Sequence, residues 1–224
     1  MTKKHYKITR GRTELTIPHE KGEITFVSPA RGPGNYLIVQ EKIEEAGLIM
    51  PTFAQLVSLV YTASQNRGEL EFQDVLDKFN RKILVTSTGS HYLDYKGVYI
   101  RDNFSFRENG ELERVSQLQK MIKNKDKRVR FVPFGFEIGE QSPSRLVRNP
   151  YVIGLAGKEG AKKLVEISKN CVPFYPPYIY GLKSFQGYIR VMTRLDGNAD
   201  RLTFGANHNH EDLNCYSWGI VGGK

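Results

Sequence analysis

Phe185-Gln186-Gly187-Tyr188-Ile189-Arg190-Val191-Met192-Thr193-Arg194-Leu195, followed at once by Asp196-Gly197-Asn198, decides the fold class. The first eleven residues read as a strand, and Asp-Gly-Asn supplies the residues of a reversal. Two more strand-like runs follow, Arg201 to Asn207 and Leu213 to Val221. Three extended runs with turn residues between them predict a C-terminal antiparallel meander.

Upstream, the pattern changes period several times. Lys158 to Lys169 has helical spacing, and Asn149-Pro150 carries an N-cap and proline signature before Tyr151 to Ala156. Ser142-Pro143 repeats that signature for a short helix through Val147. Arg128 to Phe136 reads as a strand, with Pro133 marking an edge or a bulge. Glu111 to Lys123 is helical through Leu112, Val115, Leu118 and Ile122. Lys82 to Ser87 and Tyr92 to Ile100 read as strands joined by a turn at Thr88-Gly89-Ser90.

Three helical blocks come before these strands: Tyr36 to Ala46, closed by Gly47, then Pro51 to Tyr61, and Glu69 to Asn80. Near the N-terminus, Thr13 to Ile17 and Glu23 to Val27 alternate as half-buried strands around a turn at His19 to Gly22. Ser28 to Gly34 is a loop by composition. The expected class is α+β, with a mixed or mostly antiparallel sheet, several short helices and a C-terminal meander. One compact unit over 1–224 is expected, with a division near residue 170 into a mixed region and the meander.

The 224 residues are enough for a sizeable core. The longest apolar run, Leu48 to Tyr61, is interrupted by Pro51, Thr52, Gln55 and Ser58, so it falls short of the roughly 18 uninterrupted apolar residues of a membrane span. Two cysteines, Cys171 and Cys215, argue against a disulfide scaffold. No apolar leader follows the basic Met1 to Lys7 segment. These features give a cytoplasmic setting as the expectation.

The net charge of +9 is unevenly distributed. Lys120, Lys123, Lys125, Lys127, Arg128 and Arg130 surround a single Asp126, while Glu41, Glu44, Glu45, Glu69, Glu71, Asp74 and Asp77 cluster earlier. A cationic zone of this kind attracts phosphate polymers. Interleaved with Phe131, Phe134 and Phe136, it suits a partner with stackable bases, RNA or single-stranded DNA. The leading functional expectation is therefore a basic nucleic-acid-binding protein, against the plainer reading of solvated lysines over a phenylalanine core.

A second expectation rests on Asn207-His208-Asn209-His210-Glu211-Asp212. On a straight strand His208 and His210 share a face, and with Asp212 they would hold a divalent metal as cofactor of a hydrolase-like enzyme. The same six polar residues also read as a hairpin turn in solvent. A non-catalytic interaction or structural protein is the third reading. Minor candidates are an anion loop at Arg31 to Asn35, the (Asp/Glu)-x-Lys pattern Asp94-Tyr95-Lys96, and the carboxylates Glu137 and Glu140. Pro173 to Tyr180 reads either as an aromatic-lined partner surface or as a crossover packed on the sheet. No Gly-x-Ser-x-Gly, His-Glu-x-x-His, paired Cys-x-x-Cys or dinucleotide fingerprint occurs. Neither an enzymatic activity nor an oligomeric state follows from the sequence.

Overall fold

The computed structural model describes residues 6–9, 14–20, 22–104, 111–172, 175–197, 201–207 and 212–222. Its strands are β1 (Lys7–Thr9), β2 (Glu14–His19), β3 (Gly22–Gly34), β4 (Ile83–Leu93), β5 (Gly97–Arg101), β6 (Val129–Pro133), β7 (Gly139–Glu140), β8 (Tyr178–Tyr180), β9 (Tyr188–Asp196), β10 (Thr203–Asn207) and β11 (Cys215–Ile220). The helices are α1 (Tyr36–Glu45), α2 (Phe53–Gln65), α3 (Leu70–Arg81), α4 (Glu111–Lys123), α5 (Pro143–Leu146) and α6 (Pro150–Cys171). All the strands join one mixed sheet in the order β1-β2-β3-β11-β4-β9-β10-β8-β7, with β5 and then β6 branching from β4. Only β10–β8 and β11–β4 run parallel among the described pairs. The fold is α+β with a mostly antiparallel mixed sheet, as the alternation of periods predicts.

Both faces of the central strands are buried. Leu84, Val191, Leu195, Phe204 and Trp218 face α2, α3 and α6, meeting Phe53, Leu56, Val60, Phe72, Phe79 and Leu164. Val85, Met192 and Cys215 point the other way, into Tyr36, Val39 and Ile43 of α1. Neighbours such as Leu84/Val85 and Val191/Met192 thus go to opposite faces, as the strand period of two requires. Each fully buried large side chain contributes about 1.5–3 kcal/mol of burial. A smaller cluster, Tyr99, Leu118 and Val129, seats α4 on the antiparallel β5–β6 pair that it connects.

Local chemistry explains the helix starts. Thr52 accepts from the Gln55 amide at 3.3 Å while the Gln55 side chain accepts from the Thr52 amide at 2.7 Å, a reciprocal cap at the start of α2. Asn149 caps α6 through Oδ1 and the Tyr151 amide at 3.0 Å, and Ser142 caps α5.

Three expectations change. Thr88-Gly89-Ser90 is no turn: β4 runs straight through it, and a Cβ at Gly89 would collide with the Phe104 ring. The reversal lies at Asp94-Tyr95-Lys96, where Tyr95 adopts φ 48 and Lys96 N donates to the Leu93 carbonyl at 3.2 Å. Ser28 to Gly34 is the second half of β3 rather than a loop. β2 accompanies β3 only as far as Val27, and the rest pairs with β11 through an irregular register, which tolerates Pro29 and Pro33. In the C-terminal meander, β9 and β10 pair as an antiparallel hairpin, and β11 continues from it into the space between β3 and β4. As Pro133 implies, β6 is an edge strand, paired only with β5. No described helix is long and apolar enough to cross a membrane.

Candidate functional site

Of the six cations expected to contact phosphates, two are engaged within the protein. Arg128 donates to both carboxylate oxygens of Asp126, from Nη2 at 2.7 Å and from Nε at 3.0 and 3.2 Å. These bonds hold the Asp126 carboxyl down at about 2. Arg130 pairs with Asp102 and donates from Nε to the Gly154 carbonyl at 2.8 Å, tying β6 to α6. Asp102 also accepts from Thr88 Oγ1 at 2.7 Å, and Thr88 Oγ1 accepts from the Phe53 amide at 2.9 Å. Arg130 is therefore part of a network that fixes the start of α2. Lys120, Lys123 and Lys125 are exposed at the end of α4 and in the turn after it, and Lys127 lines a cavity against α2 and α6. Phe136 is buried against Tyr151 and Phe134 lies over Tyr92, while Phe131 is 39% exposed beside Tyr99.

His208 and His210 lie outside the described residues. Asp212 is described: its Oδ1 accepts from the Asn214 amide at 2.9 Å, and its carbonyl accepts from Cys215 Sγ at 3.3 Å. Among the described residues, no three His, Cys, Asp or Glu side chains converge as a metal site would need. Asp94 is part of a turn, where Oδ1 accepts from the Gly187 amide at 3.1 Å. Both cysteines are free thiols. Burial, with Asp212 reinforcing it and Arg194 opposing, raises the Cys215 thiol to about 12.

The side chains that do converge lie where the sheet ends in β8 and β7. Tyr178 and Tyr180 share a face of β8, two residues apart, with ring centroids 4.9 Å apart. Tyr180 is registered with Gly205 of β10, and Gly205 with Arg194 of β9. The glycine leaves its column empty, so the Arg194 guanidinium reaches across to the Tyr180 ring at 4.5 Å. Arg194 Nε is also 3.5 Å from Asp196 Oδ2, and Asp196 accepts from Thr203 Oγ1. Beside this row, the Arg201 guanidinium lies 5.2 Å from the Tyr175 ring and 5.8 Å from the Tyr178 ring, and donates to Glu140 Oε1 of β7 at 2.7 Å. Tyr175 is 53% exposed and Tyr180 37%. An open groove of about 660 Å³ adjoins them, lined by Glu140, Gln141, Pro143, Lys169, Tyr175 and Pro177.

The sequence offers half of this face. Tyr175 to Tyr180 is readable as an aromatic surface, and Tyr-x-Tyr on a strand implies one shared side. The arginines come from 194 and 201, and only the pairing of β8, β10 and β9 brings them over the rings. The one local sign of it is a glycine at 205 between larger residues. Glu137 stands apart from the face, in an exposed pair with Arg145 at 3.4 Å.

No family model matches the sequence, and no curated protein matches it. Among solved structures, the chain is similar to one described as "Accommodation of massive sequence variation in Nanoarchaeota by the C-type lectin fold". The TM-score is 0.57 at 10% identity, with 86% of this chain and 96% of that chain covered. The similarity is one of fold. It overturns the expectation of a nucleic-acid-binding protein, whose cationic strip is in any case interrupted by the internal pairs of Arg128 and Arg130. What the comparison supports is the α+β architecture of a C-type lectin fold.

Proposed function

We propose that this chain is a recognition module that binds a protein partner through the Tyr175, Tyr178, Tyr180, Arg194 and Arg201 face. The row of guanidinium groups laid over tyrosine rings carries this reading. Tyrosine and arginine dominate the energetics of protein interfaces, because they present large contact areas with few torsions to freeze. Here the rotamers are set in advance: Arg194 is held by Asp196 and the Tyr180 ring, and Arg201 by Glu140 and two rings. A surface ordered before contact loses less entropy on binding.

A sugar would need an open, flat ring face, and the arginines already cover faces of Tyr175, Tyr178 and Tyr180. A protein surface can use the remaining ring edges, the guanidinium donors and the proline-lined groove. The fold similarity supports the reading in general terms, since the structure it resembles is described as accommodating massive sequence variation on this scaffold.

The test is site-specific photo-crosslinking in the source cells, with a benzophenone side chain at Tyr175 or Tyr180 and, as control, at the still more exposed Tyr95 in the β4–β5 turn. One discrete adduct from the first two positions, absent from Tyr95 and lost with Arg201→Glu, is the expected result. The same adducts from all three positions would rule out the assignment.

A further inference from the structure

A second cavity, of about 520 Å³, lies along residues 156–163 of α6, away from the Ser168–Lys169 stretch beside that face. Its walls come from four places in the chain: His19 and Glu20 at the β2–β3 turn, Ser58 of α2, Lys127 ahead of β6, and Gly157 and Lys163 of α6. We propose that this cavity binds a small molecule through a tetrahedral oxyanion, a phosphate or sulfate group. The site is separate from the tyrosine–arginine face and does not depend on the function proposed for it.

The hydrogen bonds around Ser58 show what kind of ligand fits. Ser58 is buried, and its Oγ donates to the Ala54 carbonyl at 3.1 Å. Oγ also accepts from Lys163 Nζ at 2.8 Å, and it lies 3.0 Å from His19 Nδ1, from which it accepts when that nitrogen is protonated. Ser58 is therefore an anchor that aims an ammonium and an imidazole, and its committed proton makes it a poor nucleophile. In its imidazolium form His19 donates from Nδ1 to Ser58 and keeps the Nε2 proton for an anion.

The charge balance points the same way. The Lys163 ammonium also lies 5.7 Å from the centre of the Tyr61 ring. Glu159, one turn before it on α6, is paired with Lys162 at 2.7 Å. A half-buried cation whose direct described contacts are a hydroxyl and a ring face, with carboxylates only at longer range, is incompletely compensated. Burial accordingly lowers the Lys163 pKa, with Glu159 and Glu20 opposing, and lowers that of His19, with Glu20 opposing and Lys163 reinforcing. Perturbed groups of this type in a cleft mark ligand sites.

The backbone adds to the wall. α6 breaks at Gly157 (φ 73, ψ 170), and a second helix sets out from Lys158 beside the cavity. Gly157 and Gly160 present no side chains there, so a ligand can approach the main chain closely at the positive end of that helix. Lys163, Lys127 and an imidazolium at His19 supply donors on one side of the cavity, with the Glu20 and Glu159 carboxylates on its rim. An acceptor-rich anion is the group that the three cationic donors can satisfy together.

The test uses the full chain and two probes, sodium sulfate and inorganic phosphate, titrated at constant ionic strength against sodium chloride. Saturable binding of both is expected, with the His19 ring nitrogen resonances moving toward the imidazolium form. Sulfate keeps its charge across this range, so its binding should tighten as pH falls below the ordinary imidazole range, because burial lowers the His19 pKa and an anion beside it favours the protonated ring. The groups facing His19 during that titration are Glu20, Lys163, Lys127 and Glu159. Lys163→Met should weaken binding by about tenfold or more, since a charge-assisted donor is lost. Lys163→Arg should recover part of it, and Lys169→Met, outside the cavity, should leave it unchanged. A response no greater than that to chloride, or one that survives Lys163→Met, would overturn the proposal. If Lys163→Met does not fold, the wild-type His19 resonances decide alone, and unmoved resonances in sulfate reject the site.

Discussion

Asp126 shows how a charge pattern misleads when read along the chain. The lone acid among six cations looks like a minor offset, yet two of its neighbours never reach solvent as free charges. Arg128 is bound to Asp126 itself, and Arg130 is drawn by β6 to Asp102 and the Gly154 carbonyl. Because Arg128 lowers the Asp126 carboxyl from 3.8 to about 2, a carboxyl-carbon NMR titration should find a midpoint near 2. With Arg128→Ala the midpoint should return toward 3.8; an unchanged midpoint would show that the pair is not its cause. The sign for stability follows: the ion pair helps the folded state above 3.8, and its help is lost as pH falls through 2. Arg130→Met should cost more, about 2–3 kcal/mol in urea denaturation, because it leaves a half-buried Asp102 without its partner. Gly205 carries the opposite lesson, a residue with no charge that positions a charged one, Arg194. It holds φ +114, and a Cβ there would run into the Tyr180 carbonyl. Gly205→Ala should therefore lower stability by about 1–3 kcal/mol and separate β8 from β10, visible as lost amide protection at Tyr180. Sequence reading finds the rings but not the guanidinium groups above them, because that contact depends on strand register.

At the level of elements, legibility follows the range of the interactions that make each one. The helix signals are local, and Ser142, Asn149 and Gly47 mark the ends they suggest. The start of α2 adds a reciprocal cap between Thr52 and Gln55 that the sequence carries within four residues. Thr52→Ala should cost about 1 kcal/mol, read as a lower denaturant midpoint at unchanged slope. An unchanged midpoint would mean that packing of the buried α2 against the sheet dominates its start. Strands are less legible, because their limits are set by what lies beside them. Gly89 resembles a turn residue until Phe104 is seen packed against it, and the prolines of β3 resemble a loop until β2 is seen to stop at Val27. The break in α6 is another such case. Its residues read as two neighbouring helices with Gly157 between them, and the cavity at that junction needs His19 and Ser58 from distant parts of the chain.

For the whole molecule, the decisive feature is where the last described strand lies. β11 sits between β3 and β4, so the sheet is closed near its middle by residues 215–220, and β9 pairs with β4 across about a hundred residues. The hairpin logic of the C-terminal sequence gives β9 and β10, but no local signal says that β11 leaves them for a parallel partner. Non-local pairing of this kind makes folding slow, in the millisecond-to-second range typical of sheet-rich domains. It also ties the two sides of residue 170 into one network, since β3, β4, β9 and β11 share the same core. Trp218, fully buried in β11 against the α2–α6 layer, is the natural reporter. Its fluorescence follows the centre of the sheet, while far-ultraviolet circular dichroism follows all the helices. The two signals should therefore lose structure at the same urea concentration, as one cooperative transition. Trp218→Ala, which removes the single tryptophan, should lower stability by about 3–5 kcal/mol, read as an earlier far-ultraviolet dichroism transition. A dichroism transition that stays put while Trp218 fluorescence changes early would instead show that the C-terminal strands unfold apart from the helical layer.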